Sequence, residues 1–111
     1  MLAERRHIIT AMGLSNALGD TVESVWTAVL EGRPRTSAPP FDLPFETVCG
    51  AVAGPLDPLP ASERAFESRL ARIVLRALPQ VSPAVARARQ RYGAERVALL
   101  VGTSTGGLAV A

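Results

Sequence analysis

Lysine is absent from this 111-residue chain, whose twelve basic residues are all arginine. That absence excludes a Walker phosphate loop, in which a lysine must reach the β- and γ-phosphates. Cysteine and histidine occur once each, as Cys49 and His7. A lone cysteine excludes an intrachain disulfide, and with one histidine it leaves no zinc set. The expectation is a cytoplasmic protein, in a reducing compartment, with no metal and no cofactor. Aromatic residues make up only 5% of the chain while hydrophobic residues make up 48%, so a core would be built from Ala, Val, Leu and Ile. No apolar run approaches the roughly eighteen residues of a membrane span. The opening MLAERRHIITAMGL has too short and interrupted an apolar stretch for a leader, and no small-residue cleavage site. Ten acids oppose the twelve arginines, and the net charge of +2 is too small a surplus to argue for nucleic acid.

The patterns that are present suggest one modest domain over residues 1–111. His7–Met12 is a short apolar run that suits a buried strand. GLSNALGD follows as a loop, and Asp20 with Glu23 makes a D-x-x-E pattern able to cap a helix. Behind it Val22, Val25, Trp26, Val29 and Leu30 repeat at helical spacing, with Gly32 and Pro34 as the stop. Residues 33–61 hold seven of the nine prolines and read as an extended connection. Within it FETVCGAVA, 45–53, suits a short strand. Ser62 is the expected cap of a second helix with Phe66, Leu70, Ile73, Val74 and Ala77 on one face. Ser82 and Pro83 open a third helix, closed by Tyr92 and Gly93. Arg96–Val101 is a compact apolar strand. The order strand, helix, strand, helix, helix, strand predicts an α/β fold, with parallel strands joined by helical crossovers.

After the last strand, Gly102, Ser104 and Gly106 spell G-x-S-x-G. A nucleophile elbow needs an acid and then a histidine later in the chain. The seven residues after Ser104 contain neither. His7, far upstream, reads as a partly buried structural imidazole. Cys49 has no histidine or helix start near it in sequence and reads as a buried, inert thiol. Arg87, Arg89, Arg91 and Arg96, around the third helix, suit either attraction of an acidic partner or a solvated face, and the small net charge favours the solvated face.

Two longer stretches point elsewhere. IITAMGLSNALGDTVESVWTAVLEGR resembles the opening of β-ketoacyl-acyl carrier protein synthases, where an I-T-G-x-G strand leads through a loop ending L-G to a tryptophan-bearing helix closing in L-x-G-R. YGAERVALLVGTSTGGL is similar to that family's later E-R-V-x-x-x-x-G-T-x-x-G-G. The arginine-rich stretches RAFESRLARIVLRAL and AVARARQRYGAERV look closest to the aryl polyene branch. Ala11 stands where the family usually has glycine, and Asn16 where it often has serine.

The resemblance implies the N-terminal portion of a thiolase-like fold. It also implies a parent reaction in which a cysteine takes an acyl chain from acyl carrier protein and condenses it with decarboxylating malonyl-carrier protein. The family's catalytic cysteine and two histidines would lie beyond Ala111, so no catalytic residue is assigned and the 111-residue chain is expected to be inactive. Thr105 falls at the family's position for acyl-channel lining near a dimer interface. Acyl carrier protein and a second copy, or a related synthase subunit, are the implied partners. A stand-alone, noncatalytic α/β interaction module is the alternative.

Overall fold

The structure is a computed structural model, and it describes residues 6–103. The predicted α/β fold is not what forms. Among the described residues there is no sheet, only two isolated antiparallel bridges, Asn16 with Gly19 and Ser37 with Cys49. Three α-helices carry the regular structure: α1 (Val22–Glu31), α2 (Arg69–Ala77) and α3 (Ser82–Tyr92). Short 3-10 stretches lie at Ala61–Phe66, Leu78–Gln80 and Ala94–Arg96. The three expected strands, 7–12, 45–53 and 96–101, form no ladder, and only Cys49 of the middle one makes a bridge. The reason is that a strand needs a partner brought from elsewhere in the chain, whereas a helix closes its hydrogen bonds locally.

Helix α1 begins one residue later than the sequence suggests, and on a different cap. Thr21 is the N-cap: its hydroxyl accepts from the Ser24 amide at 3.1 Å, and the Ser24 hydroxyl accepts from the Thr21 amide at 3.1 Å. This reciprocal pair satisfies two amides that the first turn leaves open. Asp20, the expected cap, is turned elsewhere, accepting from Ser15 Oγ at 2.6 Å and pairing with Arg76. Gly32 ends the helix with φ +65°, the left-handed geometry that glycine adopts without a Cβ penalty. Ala28 is buried; Val22 and Val25 are half-buried, while Trp26, Val29 and Leu30 stand exposed. The expected five-residue apolar stripe is therefore only partly covered.

Helix α2 starts six residues later than a cap at Ser62 would place it. Residues 61–66 wind as a 3-10 stretch, and Glu67 then breaks the spiral with an extended ψ of 119°. Ser68 caps α2, its hydroxyl accepting from the Ala71 amide at 3.1 Å. Helix α3 runs as its proline and glycine signals predict, with Pro83 in its first turn and Gly93 after its last residue.

Packing is sparse. Ala28 and Leu59 are the only buried hydrophobic residues among those described. The accessible surface is 9779 Å², against roughly 5900 Å² for a compact folded chain of this mass. The radius of gyration is 17.8 Å, where a compact domain of this length has about 13 Å. What holds the segments together is chiefly hydrogen bonding onto one side of α2.

Candidate functional site

The polar side of α2 is the best-organised place in the molecule. Arg72, Arg76 and Gln80 follow one another at i, i+4 and i+8, so the helix and the 3-10 stretch after it align them in a row. Each reaches main-chain atoms of a distant segment. Arg72 pairs with Glu67 and donates from Nη1 to the Leu56 carbonyl at 3.3 Å. Glu67 in turn accepts from the Leu59 amide at 3.0 Å. Arg76 Nη1 donates to the Ala53 carbonyl at 2.7 Å and to Asp20 Oδ2 at 3.3 Å, and Nη2 donates to the Pro55 carbonyl. Gln80 Nε2 donates to the carbonyls of Leu14 and Asp20 at 2.9 and 2.8 Å, while its Oε1 accepts from the Leu14 amide at 3.4 Å.

Two segments are thereby fastened to one helix: the 13–20 loop and the proline-rich 53–59 stretch. Gly13 permits the first contact. A Cβ there would lie 2.8 Å from the Ala77 carbonyl oxygen and 2.9 Å from Gln80 Cβ, so any side chain would push the loop away. The 53–59 stretch has its own reason to need donors. Pro55 and Pro58 lack amide hydrogens and cannot enter a ladder, so neighbouring carbonyls are answered by guanidinium groups. The Arg72 hydrogen bond holds the Glu67 carboxyl below the usual carboxylate range, helped by the Leu59 amide.

On the other side of the same helix lies an apolar groove of about 480 Å³, lined by Leu59, Pro60, Phe66, Leu70, Val74 and Leu75 among others. Phe66, Leu70 and Val74 are 71%, 46% and 48% exposed. A wider hollow of about 700 Å³ sits within residues 38–48, where Phe41, Leu43 and Phe45 are joined by Asp42 and Glu46. No histidine or cysteine lines either hollow.

The residues singled out from sequence are scattered. His7 is exposed, not the partly buried imidazole expected. Cys49 is half-buried rather than buried, and its backbone exchanges hydrogen bonds with Ser37 at 3.0 and 2.9 Å. Arg87, Arg89, Arg91 and Arg96 are all exposed, and none makes an ion pair among the described residues. Arg91 lies over the Tyr92 ring, 5.2 Å from its centroid. Two of these arginines, Arg89 and Arg91, occupy the last turn of α3, where positive charge complements the helix dipole. Ser104 and Thr105 lie outside the described residues. No group of three or more potential metal ligands occurs among the described residues, and no helix there is long and apolar enough to cross a membrane.

Sequence reasoning missed the row Arg72–Arg76–Gln80. Its signal was the four-residue spacing of polar side chains opposite the apolar stripe. No family model, curated protein or solved structure matches the chain.

Proposed function

We propose that the chain is the N-terminal portion of a β-ketoacyl-acyl carrier protein synthase, cytoplasmic and working with acyl carrier protein. The parent reaction is decarboxylative condensation of malonyl-carrier protein with an enzyme-bound acyl thioester, in fatty acid, polyketide or aryl polyene biosynthesis. The reading rests on the paired motif stretches, IITAMGLSNALGD through LEGR and YGAERV through GTSTGGL, at opposite ends of the chain and in family order. The uncovered apolar side chains of α1 and α2 support it, because a portion of a larger core would present such faces.

By this reading the 111-residue chain alone neither condenses malonyl-carrier protein nor hydrolyses activated esters. Ester turnover abolished by Ser104→Ala would overturn that. The decisive experiment is to read and express whatever continues in frame beyond Ala111 and assay condensation. A continuation bearing a cysteine and two later histidines, with activity lost on replacing that cysteine, is the expected result. In such an enzyme Thr105→Phe suppresses extension of long acyl primers while sparing acetyl-sized ones, and equal slowing of all primers would remove Thr105 from the channel.

A noncatalytic module that binds a protein partner is the second reading. The apolar groove beside α2 and the exposed arginines of α3 favour it. A stop codon directly after Ala111, together with a sharp cooperative melt from a monodisperse monomer, would establish this reading in place of the first.

A further inference from the structure

Charge in this chain is small in sum but separated in place. Helix α3, SPAVARARQRY, holds three arginines and no acid. Arg87 and Arg91, four residues apart, stand one above the other on the helix and, with Ala84, Ala88 and Thr10, line a hollow of about 490 Å³. The opposite charge collects in the hollow of about 700 Å³ within residues 38–48, a stretch with no basic residue. There Asp42 and Glu46 stand among Phe41 and Phe45, which are 64% and 63% exposed. Among the described residues none of these four charged groups makes an ion pair, and Glu95, the acid next after α3, does not answer the arginines either. Two complementary surfaces are thus present on one chain, and the chain does not join them to each other.

We propose that α3 of one copy of this chain docks through Arg87 and Arg91 into the 38–48 hollow of a second copy. The hollow makes two demands, apolar contact for its rings and positive charge for its carboxylates. Arginine meets both: its methylene stem packs on apolar surface, and its planar guanidinium stacks on a ring face or forks onto a carboxylate. Arg91 already lies over a ring in this way, 5.2 Å from the centroid of Tyr92. Ala84 and Ala88, beside the two arginines, keep the helix surface low, so the rim of the hollow can approach it. Charge also excludes the symmetric alternatives, because hollow against hollow and α3 against α3 each bring like charges together. The contact is therefore heterologous, each copy offering its helix to one neighbour and its hollow to another or to the same one. It holds whichever reading of the function stands.

The test is sedimentation of the full 111-residue chain over a series of concentrations and salt, with three variants: Asp42→Arg with Glu46→Arg, Arg87→Glu with Arg91→Glu, and all four together. The four positions are exposed. The expected result is concentration-dependent association that weakens about tenfold as salt rises from about 10 mM to about 1 M and the screening length falls from about 30 to about 3 Å. Each double variant weakens association by about tenfold at low salt. In the fourfold variant the charge changes cancel, leaving the net charge at +2, and the exchanged surfaces pair again, so most of the association returns. A chain monomeric at every concentration, association indifferent to salt or strengthened by it, a double variant that associates as the parent does, or a fourfold variant no better than the double ones would each overturn the proposal. The salt series reads the parent chain alone, so it decides the matter even where a variant fails to fold.

Discussion

The two sides of α2 have had opposite fates. Its polar side, through Arg72 and Arg76 and continued by Gln80 in the 3-10 stretch after it, is engaged by carbonyls and carboxylates from two distant segments, while its apolar side, through Leu70 and Val74, is half open to solvent. In an ordinary domain the apolar side supplies the stability and the polar side the solubility. Here the organising contacts are directional ones, made to main-chain atoms. Hydrogen bonds of this kind fix which segments meet and in what register, but each contributes only about 1 kcal/mol net, more where a charge takes part. The chain is thus specified in its connections and weakly held in its bulk.

That contrast can be broken at its polar side with the largest expected effect. Arg76→Ala removes the donors to Ala53, Pro55 and Asp20 together, so the Leu14 and Leu59 amides, held by the same side of α2, should both lose protection in hydrogen exchange, with a loss of about 2–3 kcal/mol. Arg76→Lys should recover only part of it, because an ammonium cannot present the planar fork that reaches two carbonyls. Next comes Gly13→Ala. The new Cβ meets the Ala77 carbonyl oxygen at 2.8 Å, and overpacking of this kind costs about 1–3 kcal/mol. Its signature is loss of protection in the 13–20 loop with the 53–59 stretch unchanged.

The first of these substitutions is one that sequence alone would rank as harmless. Arginines four apart on a helix read as a solvated face, because nothing in the sequence displays the carbonyl that a guanidinium will find. What was legible was local. Gly32 and Gly93 fixed two helix ends, and Pro83 fixed a beginning, since each acts on its own turn. Thr21 and Ser24 were overlooked because Asp20 and Glu23 fit the commoner acidic form of the same capping pattern. The strands were misread for a physical reason of another kind. V-A-L-L-V and H-I-I-T-A-M have strand composition, but composition supplies no partner, and among the described residues none is present.

A smaller effect follows acid. The Glu67 carboxyl is held below its ordinary range in the folded chain, so it binds its proton less readily there than when unfolded. Its contribution is therefore present above the ordinary carboxylate range and is lost as pH falls through the lowered folded value. Leu59 amide protection should decline over that interval, and Glu67→Gln should flatten the decline. The side chain is 31% exposed, so solvent screening keeps the effect modest. Smallest of all is Val74→Ala on the apolar side. With Val74 48% exposed, the change in stability should stay within about 0.5 kcal/mol. A loss above 1 kcal/mol would mean that the apolar side is covered in solution and that the two sides of α2 are alike after all.

The position of Arg76 also ranks its contacts by the length of chain each one closes. It joins α2 to residues 21 and 23 positions earlier in the chain, at Pro55 and Ala53, and to Asp20, 56 positions earlier. Closing a loop costs entropy that rises with the logarithm of its length, and the longer closure is dearer by about 0.9 kcal/mol. The proline-rich stretch, stiffened by Pro55, Pro58 and Pro60, wanders less before it docks and lowers the nearer closure further. Loop entropy therefore favours the contacts to Ala53 and Pro55 over the contact to Asp20, and the nearer pair orients the guanidinium for the farther one. Helix α1 follows directly on Asp20, so the longer closure is the one that fastens it, and by loop entropy alone the contact at Asp20 is the costlier of the two to make.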